Sequence, residues 1–310
     1  MAELTPMMRQ YLEIKERCQD CLLFFRLGDF YEMFYEDAET AAKELELVLT
    51  GRDCGLENRA PMCGIPHHAS VSYISRLVGK GYKVAVCEQI EDPSQAKGIV
   101  KRDIVKIYTP GTVTDEQMLD KKSNNYIVSV YSYRNMYGLA AADITTGEFQ
   151  CTSLTIGSTF QHLADELARF SPSEMIINSD AVEYERIMSI VSNISNAYIS
   201  RLPEDYFNSE SCIKILEQYT GEKLDAKQRA DFSVNAAGAL ISYISDTQKM
   251  DLNGILKPSF YKVNEFMSID ISSRRNLEIT ETLRKKKKKG SLLWVLDKTE
   301  TAMGGRMLKK

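Results

Sequence analysis

The sequence predicts a multidomain α/β chain, and three observations carry that prediction. Apolar residues at strand and helix periods alternate through the first 110 residues and again from Tyr126 to about residue 249. Between the two patterns lies a linker-like stretch, residues 110–125, where Pro110-Gly111 is followed by polar residues and Lys121-Lys122-Ser123-Asn124-Asn125. Past Leu252 the character changes again, and an apolar helix start at Leu292, Leu293, Trp294 and Leu296 reads as the opening piece of a larger helical domain. The expected domains are 1–112, a linker over 113–124, then 125–250 and 251–310.

The first domain reads as mixed α/β. Thr5-Pro6 supplies the N-cap and first position of a helix whose apolar face is Met8, Tyr11 and Leu12. Leu22 to Phe25 is a short apolar run, expected to be a buried strand broken by Gly28-Asp29. Ala38, Ala41, Ala42, Leu45, Val48 and Leu49 fall at helical spacing, with Gly51 as the expected stop. Residues 52–66 read as loop-rich. Ser70 opens a second helix, with Ile74, Leu77 and Val78 inside and Gly79 and Gly81 at its end. Tyr82–Ile90 and Asp103–Tyr108 read as strands.

In the second domain three strand-like runs follow closely, 126–133, 138–144 and 148–154, with Asn135 and Gly147 in the turns. A helix carrying Phe160, Leu163, Leu167 and Phe170 comes next, then a strand at Met175–Ile177 and a mostly helical remainder. A three-strand meander followed by alternating helices and strands suggests a ribonuclease H-like layered domain. Farther on, Phe260–Ile271 is expected to be extended and 272–284 helical.

Hydrophobic residues make up 44% of the chain, enough for packed cores, and no apolar run approaches the roughly 20 residues of a membrane span. The N-terminus has no basic-then-apolar leader pattern, so a cytoplasmic protein is expected. The net charge is −4, made of −6 over residues 1–120, −5 over 121–250 and +7 over 251–310. Bulk charge in the first domain therefore opposes nucleic-acid binding, and a DNA site there has to be local and shape-driven.

The most informative stretch is Gly28-Asp29-Phe30-Tyr31-Glu32-Met33-Phe34-Tyr35-Glu36-Asp37-Ala38, a crowd of aromatic and acidic residues at a strand-to-helix turn. In an extended segment residues two apart point the same way, so Phe30 and Glu32 project together while Tyr31 turns inward. An apolar wedge beside one hydrogen-bonding group suits minor-groove intercalation: the wedge unstacks a base step and the polar group reads what was unstacked.

That stretch, G-D-F-Y-E-x-F-Y-x-D-A, resembles the recognition motif of MutS-type DNA mismatch-repair proteins. Other stretches resemble the same family in order along the whole chain: Thr5-Pro-Met-Met-Arg-Gln-Tyr11, Pro61-Met-Cys-Gly-Ile-Pro-His-His-Ala69, Cys87-Glu-Gln-Ile-Glu-Asp-Pro93, Thr109-Pro-Gly-Thr112, Arg274-Arg-Asn-Leu-Glu-Ile-Thr280, and Leu296-Asp297 through Met303-Gly304-Gly-Arg306-Met-Leu-Lys309. The resemblance implies that residues 1–112 recognise mismatches, that 125–250 form the connector and that 251–310 begin a lever or core domain. It implies that Phe30 stacks on a mispaired or unpaired base and that Glu32 hydrogen-bonds it. Arg52, Lys97, Lys101, Arg102 and Lys106 are candidate phosphate contacts, and Met33, Pro66 and His67 are candidates to flank the wedge. His67 stands where the family commonly has tyrosine. The implied partners are mismatched duplex DNA, a MutL-type protein that docks on the connector, and a second copy in the full-length family. The fragment itself is read as monomeric, with no membrane partner.

No G-x-x-x-x-G-K-[ST] occurs in the 310 residues. The resemblance places the ATPase domain, with its ATP and magnesium, C-terminal to the residues present, so this chain is expected to have no enzymatic activity and no cofactor of its own. Two alternatives stand beside mismatch recognition. One is a protein-docking fragment with little DNA binding, favoured by the acidic balance of residues 1–250. The other is a metal-dependent nuclease using Asp143 with Glu148, Asp165 and Glu166, for which a converging set of carboxylates is required. Cys18-x-x-Cys21 with Cys54, Cys63, His67 and His68 forms a zinc set on paper, but reduced core thiols explain the seven scattered cysteines better. The five lysines at 285–289 read as a solvated loop.

Overall fold

In the computed structural model, residues 4–91, 98–115, 117–134, 136–155, 160–178, 184–194, 197–249, 257–263 and 269–309 are described. The chain divides into two compact units, Met1–Thr112 with Asp246–Met250, and Val113–Ser245 with Asp251–Lys310. It is a mixed α/β protein with one mixed six-stranded sheet in each unit.

The first unit contains α1 (Pro6–Glu16), β1 (Cys21–Leu27), β2 (Phe30–Phe34), α2 (Tyr35–Leu45), β3 (Thr50–Arg52), β4 (Ala60–Pro66), α3 (Ser70–Val78), β5 (Lys83–Gln89) and β6 (Arg102–Tyr108). Thr5 caps α1 by accepting from the Met8 N–H, with Pro6 in the first turn. The strand order is β3-β4-β2-β1-β5-β6, antiparallel throughout except for the parallel pair β1–β5. One face buries Leu23, Phe25, Phe34, Ala85 and Cys87 under Met8, Tyr11 and Ile14 of α1. Tyr11 meets Phe25 and Phe34 edge-on, with centroids 5.4 and 4.9 Å away. The alternate residues, among them Phe24, Met33, Cys63 and Ile65, are buried on the other face, the side where the Cys63 thiol reaches the carbonyl of Ala38 on α2.

Asp37 joins these layers. Its buried carboxylate accepts from the Leu23 N–H of β1 at 3.0 Å, from the Tyr11 hydroxyl at 3.2 Å and from Lys15 Nζ at 2.9 Å. Standing in the first turn of α2, it is also favoured by the positive end of the helix dipole.

The second unit contains β7 (Ile127–Tyr133), β8 (Met136–Asp143), β9 (Glu148–Thr155), α4 (Phe160–Phe170), β10 (Glu174–Asn178), α5 (Tyr184–Ile194), β11 (Tyr198–Leu202), α6 (Ser209–Thr220), α7 (Ala226–Arg229), α8 (Phe232–Gln248) up to Ser245, β12 (Lys257–Phe260), α9 (Ile271–Asn276), α10 (Leu292–Leu296) and α11 (Ala302–Lys309). The order is β11-β10-β7-β8-β9-β12, with β7-β8-β9 an antiparallel meander and β10, β11 and β12 added in parallel. Ala140, Ala142 and Phe149 face the apolar residues of α8. Val128, Leu139 and Ile177 pack with Leu163, Leu167 and Phe170 of α4. Gly138 lets the chain pass close: a Cβ there would stand 1.9 Å from the Phe232 carbonyl oxygen.

Three expected elements end differently. The helix expected to run to Leu49 stops at Leu45, because Glu46 turns left-handed at φ 59 and the Leu47 N–H closes onto the Ala42 carbonyl. Val48 is consequently 80% exposed, so its helical spacing with Ala41 and Leu45 is a coincidence of sequence. The extended stretch expected from Phe260 is instead the end of β12, held by parallel pairing to β9; residues 264–268 lie outside the described ones. The helix expected over 272–284 is α9, which ends at Asn276, with Glu278 at φ 46 soon after. Asn135, expected in a turn, also lies outside the described residues.

Replacing Asp37 with Ala leaves the buried Leu23 N–H without its acceptor and removes the ion pair to Lys15, while the Tyr11 hydroxyl keeps the Phe34 carbonyl and Lys15 the Cys21 carbonyl; it should lower the first unit's unfolding free energy by about 2 kcal/mol. Urea denaturation checks this, and a loss below about 1 kcal/mol would show that water replaces the carboxylate. Gly138→Ala should cost the second unit about 3 kcal/mol by the same measurement, since its new methyl meets backbone rather than a movable side chain.

Candidate nucleic-acid interface

The β1–β2 hairpin positions the central residues. Leu27 and Phe30 are cross-strand partners, so Gly28 and Asp29 alone make the turn. Such a two-residue loop needs a positive φ, and Gly28 provides it at 58°. The Asp29 carbonyl is fixed from the next strand's end by the His67 N–H at 2.9 Å, with His67 Nδ1 at 3.2 Å.

Phe30 follows the turn immediately and is 48% exposed. Its cross-strand neighbours are Leu27 on one side and Pro66 on the other. Glu32 lies on the same face, opposite Phe25 and Gly64, and Tyr31 turns into the opposite face. The chemistry this presents is an apolar ring at a hairpin tip and a carboxylate two residues further along the same strand face.

The hairpin is braced from behind by residues the sequence pattern alone does not single out. The Tyr31 hydroxyl donates to Glu88 on β5, and Arg26 Nη1 reaches the same carboxylate at 3.4 Å. Arg26 also donates to the Gly28 carbonyl and lies over the Tyr31 ring, 5.6 Å from its centroid. Burial, followed by the hydrogen bond to Glu88, holds the Tyr31 phenol above its ordinary pKa, so it stays a donor. Arg26 and Glu88 are 62 residues apart in the chain and meet only because β1 and β5 are neighbouring strands.

The remaining candidates separate. Arg52 joins the site, its guanidinium donating to Glu32. Pro66 and His67 also join it, as the shoulder and clamp of the hairpin. Met33 does not: it is fully buried on the opposite face, because a residue three along a strand from Phe30 has the other parity. Arg102 is half-buried structure rather than a free loop cation. It stacks 5.0 Å over Phe25, donates to the Arg26 carbonyl at 2.7 Å and donates to Gln10 at 2.9 Å. Lys106 lies 4.6 Å over the Tyr108 ring. Lys101 is exposed, its N–H bonded to Glu91 at 2.6 Å. Lys97 lies outside the described residues.

Comparison with known proteins matches the chain to three family models in succession: MutS domain I over residues 5–117, MutS domain II over 125–255 and MutS domain III over 272–310. It is 55% identical over all 310 residues to the DNA mismatch repair protein MutS of Acetivibrio thermocellus, covering 36% of that protein. It is 56% identical over its full length to that of Ruminiclostridium cellulolyticum, again covering 36%. With the Clostridium novyi protein it shares 54% over 307 residues, 33% of that relative's length. The chain thus spans about a third of the length of these curated relatives.

The carboxylates considered for metal chemistry have other partners. Asp143 accepts from the N–H groups of Asn125 at 3.1 Å and Thr145 at 2.8 Å, which anchors the β8–β9 turn. Glu148 takes the Tyr126 hydroxyl at 2.9 Å. Glu166 pairs with Arg169 at 2.8 Å, and Asp165 accepts from Gln161 at 3.0 Å. Among the described residues no group of three or more His, Cys, Asp or Glu lies together to hold a metal ion, and no helix is long and apolar enough to cross a membrane. The lysines at 285–289 are exposed, with Lys288 ion-paired to Asp297.

All seven cysteines are free and buried. Burial pushes the Cys18 and Cys63 thiols up to about 11 and the Cys87 thiol up to about 12. A thiol-reactive dye at pH 8 should therefore label the native chain far below one equivalent in minutes and label all seven after denaturation. Rapid native labelling of Cys18 or Cys21 would show that the α1–β1 turn opens.

Proposed function

We propose that this chain, which belongs to the MutS family of DNA mismatch repair proteins, reads mispaired and unpaired bases by inserting Phe30 into the minor groove and presenting Glu32 to the base that Phe30 unstacks. The observation that carries the reading is the half-exposed Phe30 on a braced hairpin tip, with Glu32 on the same strand face. A rigid wedge gains most where the duplex resists least. A mismatch or an unpaired base is easier to unstack and kink than a matched step, so the deformation cost falls at the defect. The local charge sharpens the contrast. The first 120 residues carry −6, so intact duplex gains little from bulk attraction and binding waits on the specific contact.

The succession of MutS domain matches supports dividing the chain into a mismatch-recognition domain, a connector and the start of a lever or core domain. The β9-β8-β7-β10-β11 arrangement supports a ribonuclease H-like connector. In this proposal the connector docks a MutL-type partner, the longer protein is a cytoplasmic homodimer, and its ATP and magnesium bind outside the 310 residues.

Fluorescence anisotropy at low salt tests the reading, using a G·T duplex, a one-base-loop duplex and a matched duplex. The chain should prefer the two defective duplexes, and Phe30→Ala should remove that preference with a loss of about tenfold or more, the scale of one base–aromatic stack. Equal binding to all three by both proteins would overturn the proposal and favour a protein-docking role instead.

A further inference from the structure

The two charged groups of the candidate site are engaged with each other before any DNA is present. Arg52 on β3 and Glu32 on β2 are not sheet neighbours, because β4 runs between them. Glu32 is opposite Gly64 on β4, and its side chain leans over that glycine: a Cβ at position 64 would stand 3.5 Å from the Glu32 Cγ. Arg52 reaches across β4 from the other side, and its Nη1 donates to Glu32 Oε2. The pair is asymmetric in its access to water, with the arginine side chain 38% exposed and the glutamate side chain 15%.

We propose that Arg52 is a positioning and specificity-determining residue for Glu32: it holds Oε2 of the carboxylate so that Oε1 is the oxygen offered to a base stacked against Phe30. The inference rests on the mismatch-reading function proposed above. A carboxylate has about four lone-pair sites on two oxygens, so occupation of one oxygen by a guanidinium leaves the other able to accept. Without Arg52 the carboxylate rotates among several rotamers, and an approaching duplex meets a bare anion. With Arg52 the charge is neutralised and the acceptor points one way. The benefit falls on duplexes whose base reaches Glu32. An arginine acting on a phosphate instead helps every duplex equally and adds about one to the salt slope.

A double-mutant cycle in the 310-residue chain separates these roles. The wild type, Arg52→Gln, Glu32→Ala and the double variant are titrated at several low salt concentrations into fluorescein-labelled one-base-loop and matched duplexes. Arg52→Gln should lower the ratio of loop to matched affinity about fivefold, the scale of a partly sheltered ion pair. In the Glu32→Ala background the same change should leave the ratio untouched, and Arg52→Lys should restore part of it. An equal loss on both duplexes in both backgrounds, with a shallower salt slope, would overturn the inference and make Arg52 a phosphate contact. Phe30→Ala in the same titration distinguishes the two levels of failure. If it abolishes the loop preference while Arg52→Gln leaves it intact, only the role of Arg52 falls. If the wild type shows no preference, the mismatch-reading function falls and the role of Arg52 with it.

Discussion

The first unit depends on the buried carboxylate of Asp37. It receives a backbone N–H from β1, a hydroxyl and an ammonium from α1, and it stands in the first turn of α2. A buried charge is tolerable only when fully paired and hydrogen-bonded, so these three elements can close only in the one arrangement that satisfies it. Since α2 continues directly from β2, the same arrangement sets where β2 lies, and with it Phe30 and Glu32. Phe30 and Glu32, the proposed reader, thus stand seven and five residues from their anchor in one short stretch.

The sheet of this unit is covered unevenly, and the candidate site is the part left open. α1 covers the face over Phe25 and Phe34, where Tyr11 packs. Further along β1 and β2 the same face carries Leu27, Phe30 and Glu32, with Arg102 closing over Phe25 at the border. The face behind is braced by Tyr31, Arg26 and Glu88, so the exposed ring does not rest on a loose loop. The proposed wedge has to resist the duplex it deforms, and a hairpin held at its turn, its edge and its back is suited to that task.

Net acidity and the proposed DNA reading are compatible in this arrangement because they act at different ranges. Bulk charge governs how strongly any duplex is attracted, and screening confines it to about 10 Å at 0.1 M salt. In the proposed function the contacts of Phe30 and Glu32 are made only at the base they reach. An acidic domain with one local reader loses affinity for matched DNA faster than it loses discrimination. The cations that looked available in the sequence are partly committed within the fold: Arg102 to Phe25, Gln10 and backbone, and Arg52 to Glu32.

Local patterns in the sequence determined most elements and one geometric relation. Thr5-Pro6 marks the start of α1, the Gly28 turn breaks β1 from β2, and the period-two rule alone places Phe30 with Glu32 and turns Tyr31 away. These follow from short-range stereochemistry, which neighbouring residues settle among themselves. Tertiary structure decided what depends on residues distant in the chain. The burial of Met33 needs a cover on the sheet's second face, where Cys63 beside it meets α2, the brace on Tyr31 needs β5 beside β1, and the occupation of Arg52 needs β4 between β3 and β2. It also decided where helices stop. Helical spacing persists through Val48, but the left-handed turn at Glu46 ends α2 at Leu45 and leaves Val48 exposed. Periodicity states which face a residue prefers; only the assembled sheet supplies a neighbour for that face.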